Sequence, residues 1–466
     1  MAKNPYLDID QKMLGDIHTS REMMDNLEIL CDDYGSRFGG TKGEKLAAQF
    51  FRDKFKAYGL SNVKMEPYKY ASWTRGETTL EITHPVQHAI PCIALPYCPS
   101  ATIETELISV GDGAPSDFKN PKRLKNKLVM ATSKTPPDVG RFIHRSEKYG
   151  RSALAGAAGF IFMNHYEGLG PATGSIADNR EAIIPGISVS KEDGEYLQRL
   201  LRRKGTVRLK LKTRNRTRQR TSWNVVAELP GNTIANEWVL VGCHYDGHDI
   251  SQGAHDPISG LAAILDAARV LSSYAKDQIQ CGIRFIAFGT EEIGLIGAKE
   301  YVKAHKPELN QIRLLLNMDA AGGGGRKGIV MHYWPELDKF FKKIQSHIHD
   351  DFPYGNKLSA FSDHFPFFEA GVPTAGMGDV EATFSGRGFG HTAFDTLDKL
   401  HLTNLRSAAS CAARTLLRIA CEQKWPATRR NQKAVKAIIA KEPNLENLKV
   451  DAAVERLYKK RGRTYP

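Results

Sequence analysis

From residue 222 onward, short apolar runs of strand length alternate with helical patterns, and nearly every run ends in a side chain able to bind a metal ion. The runs are WVLVGCH (238–244), IRFIAFG (283–289) and IRLLLNMD (312–319). Between them, Leu261, Ile264, Leu265, Ala268 and Leu271 form one stripe of a helix over 261–272, and a second helix is predicted around 298–305. Alternation at this pitch predicts an α/β fold, a mostly parallel mixed sheet with helices on both faces. A long helix over about 403–422 would close its core.

In open parallel sheets, functional groups collect at the carboxyl ends of the strands. Here those ends carry His244 and Asp246, then Glu291 and Glu292, then Asp319; the loop after the first strand carries Asp256, and the glycine-rich SGRGFG leads to His391. One acid after a strand is usually a solvated loop residue or a helix cap. The set is different, because two histidines and several carboxylates at the ends of separate strands form a mixed nitrogen and oxygen cluster. That cluster suits zinc or another divalent transition metal better than calcium or magnesium, and it holds too many carboxylates for a single structural zinc.

The rest of the chain divides by texture. Leu46, Phe50, Phe51 and Phe55 mark an early helix, followed by a short strand, TTLEITH. Between 96 and 214 the pattern shifts to short strands and small residues (LVMATS, AGFIFMN, AIIPGISVS), the mark of a separate small, mostly-β module. The predicted division is therefore 1–95 with 215–425 for a discontinuous main domain, 96–214 for the insertion, and 426–466 for a basic extension.

The seven cysteines are scattered and include no CxxC, so buried free thiols are expected rather than disulfides or a zinc finger. The longest apolar stretch, 153–163, is too short to span a bilayer. Charges fall where a secretory signal would place its apolar core, so a cytoplasmic protein is expected. The net charge of +13 is local. Residues 199–220 hold eleven basic side chains and no acid, and the tail 429–466 is also basic, which leaves the body mildly acidic. Strand-edge protection explains VRLKLKTRNRTRQRT better than nucleic-acid binding, which is not expected. In the tail, Val435, Ile438 and Ile439 fit a docked helix as well as a binding arm.

The strings GCHYDGHDISQGAHDPISG, AFGTEEIGLIGAKEY, NMDAAG and GHTAFDTLDKL resemble, in order and spacing, the co-catalytic di-zinc exopeptidases of the bacterial leucyl aminopeptidase and plasma glutamate carboxypeptidase type. YGSRFGGTKGEKLAAQFFRDKF is similar to the start of that family's catalytic domain, and GAAGFIFMN with IPGISVSKEDGEYL resembles the protease-associated domain many members carry. The resemblance implies a zinc exopeptidase fold of the phosphorylase/hydrolase-like type and two Zn2+ per chain. It implies that Asp256 bridges the ions, that His244 and Asp319 complete one site and Glu292 and His391 the other, and that Glu291 is the general base. Asp246 would orient His244. It also implies a cis bond after Asp256, which Pro257 makes less costly.

The expected partner is a peptide substrate, with aminopeptidase activity first and a carboxypeptidase or dipeptidase of the glutamate carboxypeptidase type second. A glutaminyl cyclase with one zinc, or a binding protein that has lost catalysis, are remoter alternatives. Asp363 and His364 in FSDHFPFFEAG match a segment near the family's substrate pocket, although a helix cap explains them equally well. Arg387 is a candidate partner for a substrate carboxylate. His248 and His255, close to the implied ligands, read as surface or supporting residues, and Cys243 as core packing.

Overall fold

The computed structural model describes residues 4–348, 352–379 and 389–461. Among these residues the strands gather into two eight-stranded sheets. The first runs in the order Ser61–Thr74, Arg216–Leu229, Cys281–Phe288, Ile234–His244, Ile312–Asn317, Thr374–Asp379, Lys327–Met331, Tyr354–Asn356. The pairings from Cys281–Phe288 across to Thr374–Asp379 are parallel and the outer ones mostly antiparallel, so the sheet is mixed with a parallel centre.

Continuous apolar runs produce this centre because both faces are covered. Along Ile234–His244, Val239, Val241 and Cys243 enter one core with the helices Ser259–Tyr274 and Leu402–Cys421, while Leu240 enters another with Ala298, Tyr301 and Phe367. Gly260 sits at a close approach, since a Cβ there would lie 1.6 Å from the carbonyl oxygen of Met318. The helix that follows Asp256 is thereby pressed onto the strand end that carries Asp319. All seven cysteines are free thiols, five of them buried. No helix among the described residues is long and apolar enough to cross a membrane.

The second sheet runs His88–Ile90, Thr78–His84, Arg208–Thr213, Ala101–Ser109, Leu128–Thr132, Gly159–Met163, Gly186–Val189, Ile93–Ala94. Two sequence readings change here. TTLEITH was assigned to the first domain by its position, yet it pairs antiparallel with Arg208–Thr213 in the second sheet. The basic run is two strands rather than one: Arg208–Thr213 belongs to the second sheet, and Arg216–Leu229 pairs with Ser61–Thr74 in the first. The chain crosses between sheets twice, side by side, at 75–77 and 214–215. The Arg214 N–H donates to the carbonyl of Glu77 at 2.9 Å, and Gly76 is required because a Cβ would meet the Arg214 carbonyl oxygen at 1.6 Å.

The basic tail is docked. The helix Gln432–Lys441 buries Val435 against the first domain, and the helix Asn447–Lys460 lies on Arg145–Leu154 of the inserted domain. Tyr458 enters the insertion's core, donates its hydroxyl to the Glu181 carbonyl at 2.9 Å and lies 3.6 Å beneath the Arg180 guanidinium, which also pairs with Glu455. The tail thus clamps one domain to the other. Tyr458→Ala is expected to cost about 3 kcal/mol, as for other buried aromatic truncations. It should lower the melting temperature and expose the insertion to limited proteolysis; an unchanged melting curve and digestion pattern would refute the clamp.

Candidate metal centre

His244 is the last residue of its strand. Its Nδ1–H donates to the backbone carbonyl of Asp246 at 2.9 Å, which fixes the tautomer and aims Nε2 outward. Nε2 then lies 3.3 Å from Asp256 Oδ1 and 3.4 Å from Asp319 Oδ1. The other oxygen of Asp256, Oδ2, is 3.3 Å from His391 Nε2, and that nitrogen is 3.6 Å from Glu292 Oε2. Asp256 therefore stands between two half-clusters, with one oxygen turned to each. The Asp256–Pro257 bond is cis, as expected from the sequence.

The adjacent glutamates diverge. Ligand atoms of His244, Glu291 and Asp319 lie within 4.8 Å of one another, and so do those of His248, Glu292 and His391. The carboxylate of Asp246 sets this divergence by accepting the backbone N–H groups of Glu291 at 2.9 Å and Glu292 at 3.2 Å. The acid of Asp246 is thus spent on the glutamate turn, its nearer oxygen 3.6 Å from His244 Nδ1, and its main-chain carbonyl orients the imidazole. Thr290, just before the glutamates, has φ +53°, unfavourable for a β-branched residue, and Tyr68 shares a 2.9 Å hydrogen bond with its hydroxyl.

Four supporting groups were missed or undervalued by sequence reasoning. His248 is buried, its Nε2 2.9 Å from Glu292 Oε2 and 3.2 Å from His391 Nδ1. Its signal was proximity to His244 in HYDGHD. Asp395 accepts the N–H groups of His255 at 2.7 Å and Asp256 at 3.1 Å. The fully buried guanidinium of Arg37 donates to the carbonyls of Leu30, Gly35, Tyr245 and Gly253, tying the YGSRFGG segment to the loop that delivers Asp256. The fourth comes from the insertion. Thr173 N–H donates to the His391 carbonyl at 2.7 Å, His391 Nδ1 lies 3.3 Å from the Thr173 carbonyl, and Arg145 holds the carbonyls of Thr173 and Ser175 at 3.1 Å each. A main-chain contact has no residue type by which a sequence could announce it.

Asp363 occupies the N-cap position of the short helix His364–Glu369 but makes no capping bond, so the helix-cap reading fails. Both its oxygens are buried without a hydrogen-bond partner among the described residues. His364 donates Nε2–H to the Ser359 carbonyl at 2.9 Å and stacks on His332. Arg387 lies outside the described residues.

Electrostatics mark the site as short of positive charge. Burial raises Glu291 well above the ordinary carboxylate range against the pull of His244, and Glu292, Asp319 and Asp363 push the same way. Burial also raises Glu292 and Asp363. For His244 burial acts downward, but Glu291, Asp246, Asp256 and Asp319 outweigh it and the pKa rises. Burial, with Arg145 beside it, pushes His248 down to about 3. Glu292 Oε1 and His248 Nδ1 are buried without partners among the described residues. Buried acids in this number need compensation, and divalent cations held by imidazole and carboxylate supply it. The donor set fits zinc.

Strand ends that gather imidazoles and carboxylates around one carboxylate form a candidate metal centre of the kind hydrolytic enzymes use. Residues 224–416 match the model of peptidase family M28, and residues 83–197 match the PA domain. The chain is thus similar to peptidase family M28 in residues 224–416 and to the PA domain in the segment ahead of it. It is 32% identical over 305 residues to aminopeptidase YwaD of Bacillus subtilis, a match covering 62% of this chain and 63% of that protein. It is 25% identical over 303 residues to carboxypeptidase Q of Bos taurus, covering 63% and 64%. Among solved structures, the zinc aminopeptidase BSAP of Bacillus subtilis superposes with a TM-score of 0.67 at 25% identity, over 88% of this chain and 98% of that one.

The hold of the insertion on His391 generates a test. Arg145→Met is expected to weaken zinc retention about ten-fold, the lower end of the range for outer-shell substitutions. Chelator competition followed by metal analysis reads this directly, and retention equal to the unsubstituted chain would count against it.

Proposed function

We propose that the chain is a zinc-dependent exopeptidase that removes a residue from the amino end of a peptide. The observation that carries this reading is Asp256, whose two oxygens face imidazoles of opposite half-clusters. Asp256 would be shared by two ions, His244 and Asp319 would complete one site, and Glu292 and His391 the other. Bound there, zinc supplies Lewis acidity toward the scissile carbonyl and lowers the pKa of water.

The chain's own groups supply the proton path. The Glu291 carboxylate takes a proton from the attacking water as the new C–O bond forms, then gives it to the departing nitrogen as the C–N bond breaks. No covalent enzyme intermediate is needed. Asp246 holds the Glu291 backbone, so the base has a fixed origin for its reach. An unpaired buried acid, Asp363, supports an amine-binding pocket over a carboxylate-binding one. A carboxypeptidase would need a free cation, and the nearby Arg145 is engaged by the Thr173 and Ser175 carbonyls. The free thiols support a reducing compartment such as the cytoplasm.

Three measurements test the reading. Metal analysis of the unchelated protein should give about two zinc ions per chain, because a shared carboxylate with four terminal ligands exceeds one tetrahedral ion; one tightly held ion with full activity would favour the cyclase alternative. Glu291→Gln should keep fold and metal content while turnover falls about 10²- to 10⁴-fold. A peptide with a blocked amine should resist cleavage and one with a blocked carboxylate should not; the reverse pattern would make the protein a carboxypeptidase.

A further inference from the structure

The arginine run is not absorbed by the metal centre. Where the chain crosses between sheets, a cavity of about 710 Å³ opens, lined by fourteen residues. Five are arginines (Arg75, Arg214, Arg216, Arg218 and Arg220), and none is acidic or aromatic. Arg216, Arg218 and Arg220 are exposed and alternate along one strand opposite Thr74, Ser72 and Tyr70, so they share a face. They have no ion-pair partner among the described residues, and Arg214 reaches Glu77 only at 3.9 Å. Arg75 alone is well paired, to Asp249 at 2.6 Å.

Edge protection does not by itself account for this arrangement. The arginine segment is paired with Ser61–Thr74 on one side and with no strand on the other among the described residues, and its arginines line a half-open cavity together with residues of the second sheet. Alternate residues on a strand stand about 6.5 to 7 Å apart, the interval at which an extended peptide presents every second side chain. We propose that this seam is a docking groove for an acidic, extended peptide segment whose alternating Asp or Glu carboxylates pair with Arg216, Arg218 and Arg220. Single-stranded nucleic acid carries comparable charge, but its sites add aromatic platforms for the bases, and this cavity has none.

The groove adjoins the metal centre through Arg75. Its guanidinium spans from Asp249, next to His248, to the Thr173 hydroxyl at 3.3 Å, and Thr173 holds His391. The segment is assigned as the distal part of a substrate, an identification that rests on the exopeptidase reading. Binding itself does not rest on it.

The test uses the full, zinc-loaded chain and fluorescence anisotropy. The probes are a short labelled peptide of alternating Glu and Ser with both termini blocked, its Gln counterpart, and an oligothymidylate of similar length. At low salt the Glu peptide should bind at least about ten-fold tighter than the Gln peptide, and the difference should shrink as salt rises. The exposed triple substitution R216Q/R218Q/R220Q should abolish the difference while leaving metal content and hydrolysis of a neutral dipeptide unchanged. Equal binding of the two peptides, an undiminished difference in the variant, or tighter binding of the oligonucleotide would overturn the groove. With unblocked peptides, an acidic tail should raise kcat/KM in the wild type but not in the variant. Binding without that preference would overturn the substrate assignment, whereas absence of all hydrolysis would refute the exopeptidase reading and leave the binding result standing.

Discussion

Mutual repulsion among the acids at the strand ends is the constraint on which the surrounding structure depends. Two like charges about 4 Å apart repel by about 4 kcal/mol even at an effective dielectric constant of 20. The cluster brings ligand oxygens of Glu291 and Asp319 within 4.8 Å of each other, with Asp246, Asp256, Glu292 and Asp363 buried around them. What holds them is backbone anchoring more than direct attraction. Asp395 grips the amides of His255 and Asp256, Asp246 grips those of Glu291 and Glu292, and Arg37 ties four carbonyls of the flanking loops. Thr290 and His391 both take the left-handed backbone conformation, so the local chain is held in unfavourable geometry at the positions that aim the ligands.

Much of this was legible in the sequence because the chemistry demands particular residue types at strand ends. His244, Asp256, Glu291, Glu292, Asp319 and His391 each follow an apolar run or a glycine-containing segment, and the structure brings all six together. Helix periodicity likewise located Ser259–Tyr274 and Leu402–Cys421. What was not legible depends on pairing between distant segments. TTLEITH has the same alternation whichever sheet receives it, and only its partner, Arg208–Thr213, decides. The crossing at 214–215 interrupts a uniform basic pattern with no glycine or proline and only Asn215 to mark it, so periodicity did not divide it. The part of Asp246 was legible only in outline: in so short a turn its carbonyl reaches the imidazole, and its carboxylate, 3.6 Å from the same nitrogen, also accepts amides supplied by a strand far along the chain.

The two halves of the candidate metal cluster differ in what supports them. His244, Asp319 and Glu291 follow neighbouring parallel strands of the first sheet, whose interior is continuous apolar packing. Glu292 shares that origin, but its partner His391 arrives on a loop beyond the last strand of the sheet. There it is bonded on both sides to Thr173 of the insertion, itself fixed by Arg145 and Arg75. Further contacts hold the same stretch of the insertion in place: Asn179 accepts the Ala71 amide at 2.7 Å, Asp178 pairs with Lys299, and the C-terminal helix clamps the far side through Tyr458. The PA domain is therefore a wall of the site rather than an appendage. Any rigid-body shift of that domain would act first on the Glu292–His391 half, because His391 is bonded directly to Thr173 whereas His244 and Asp319 end strands of the main sheet. The same coupling would run the other way, since an ion held by Asp256 and His391 would fix the loop that Thr173 contacts and so stiffen the domain interface.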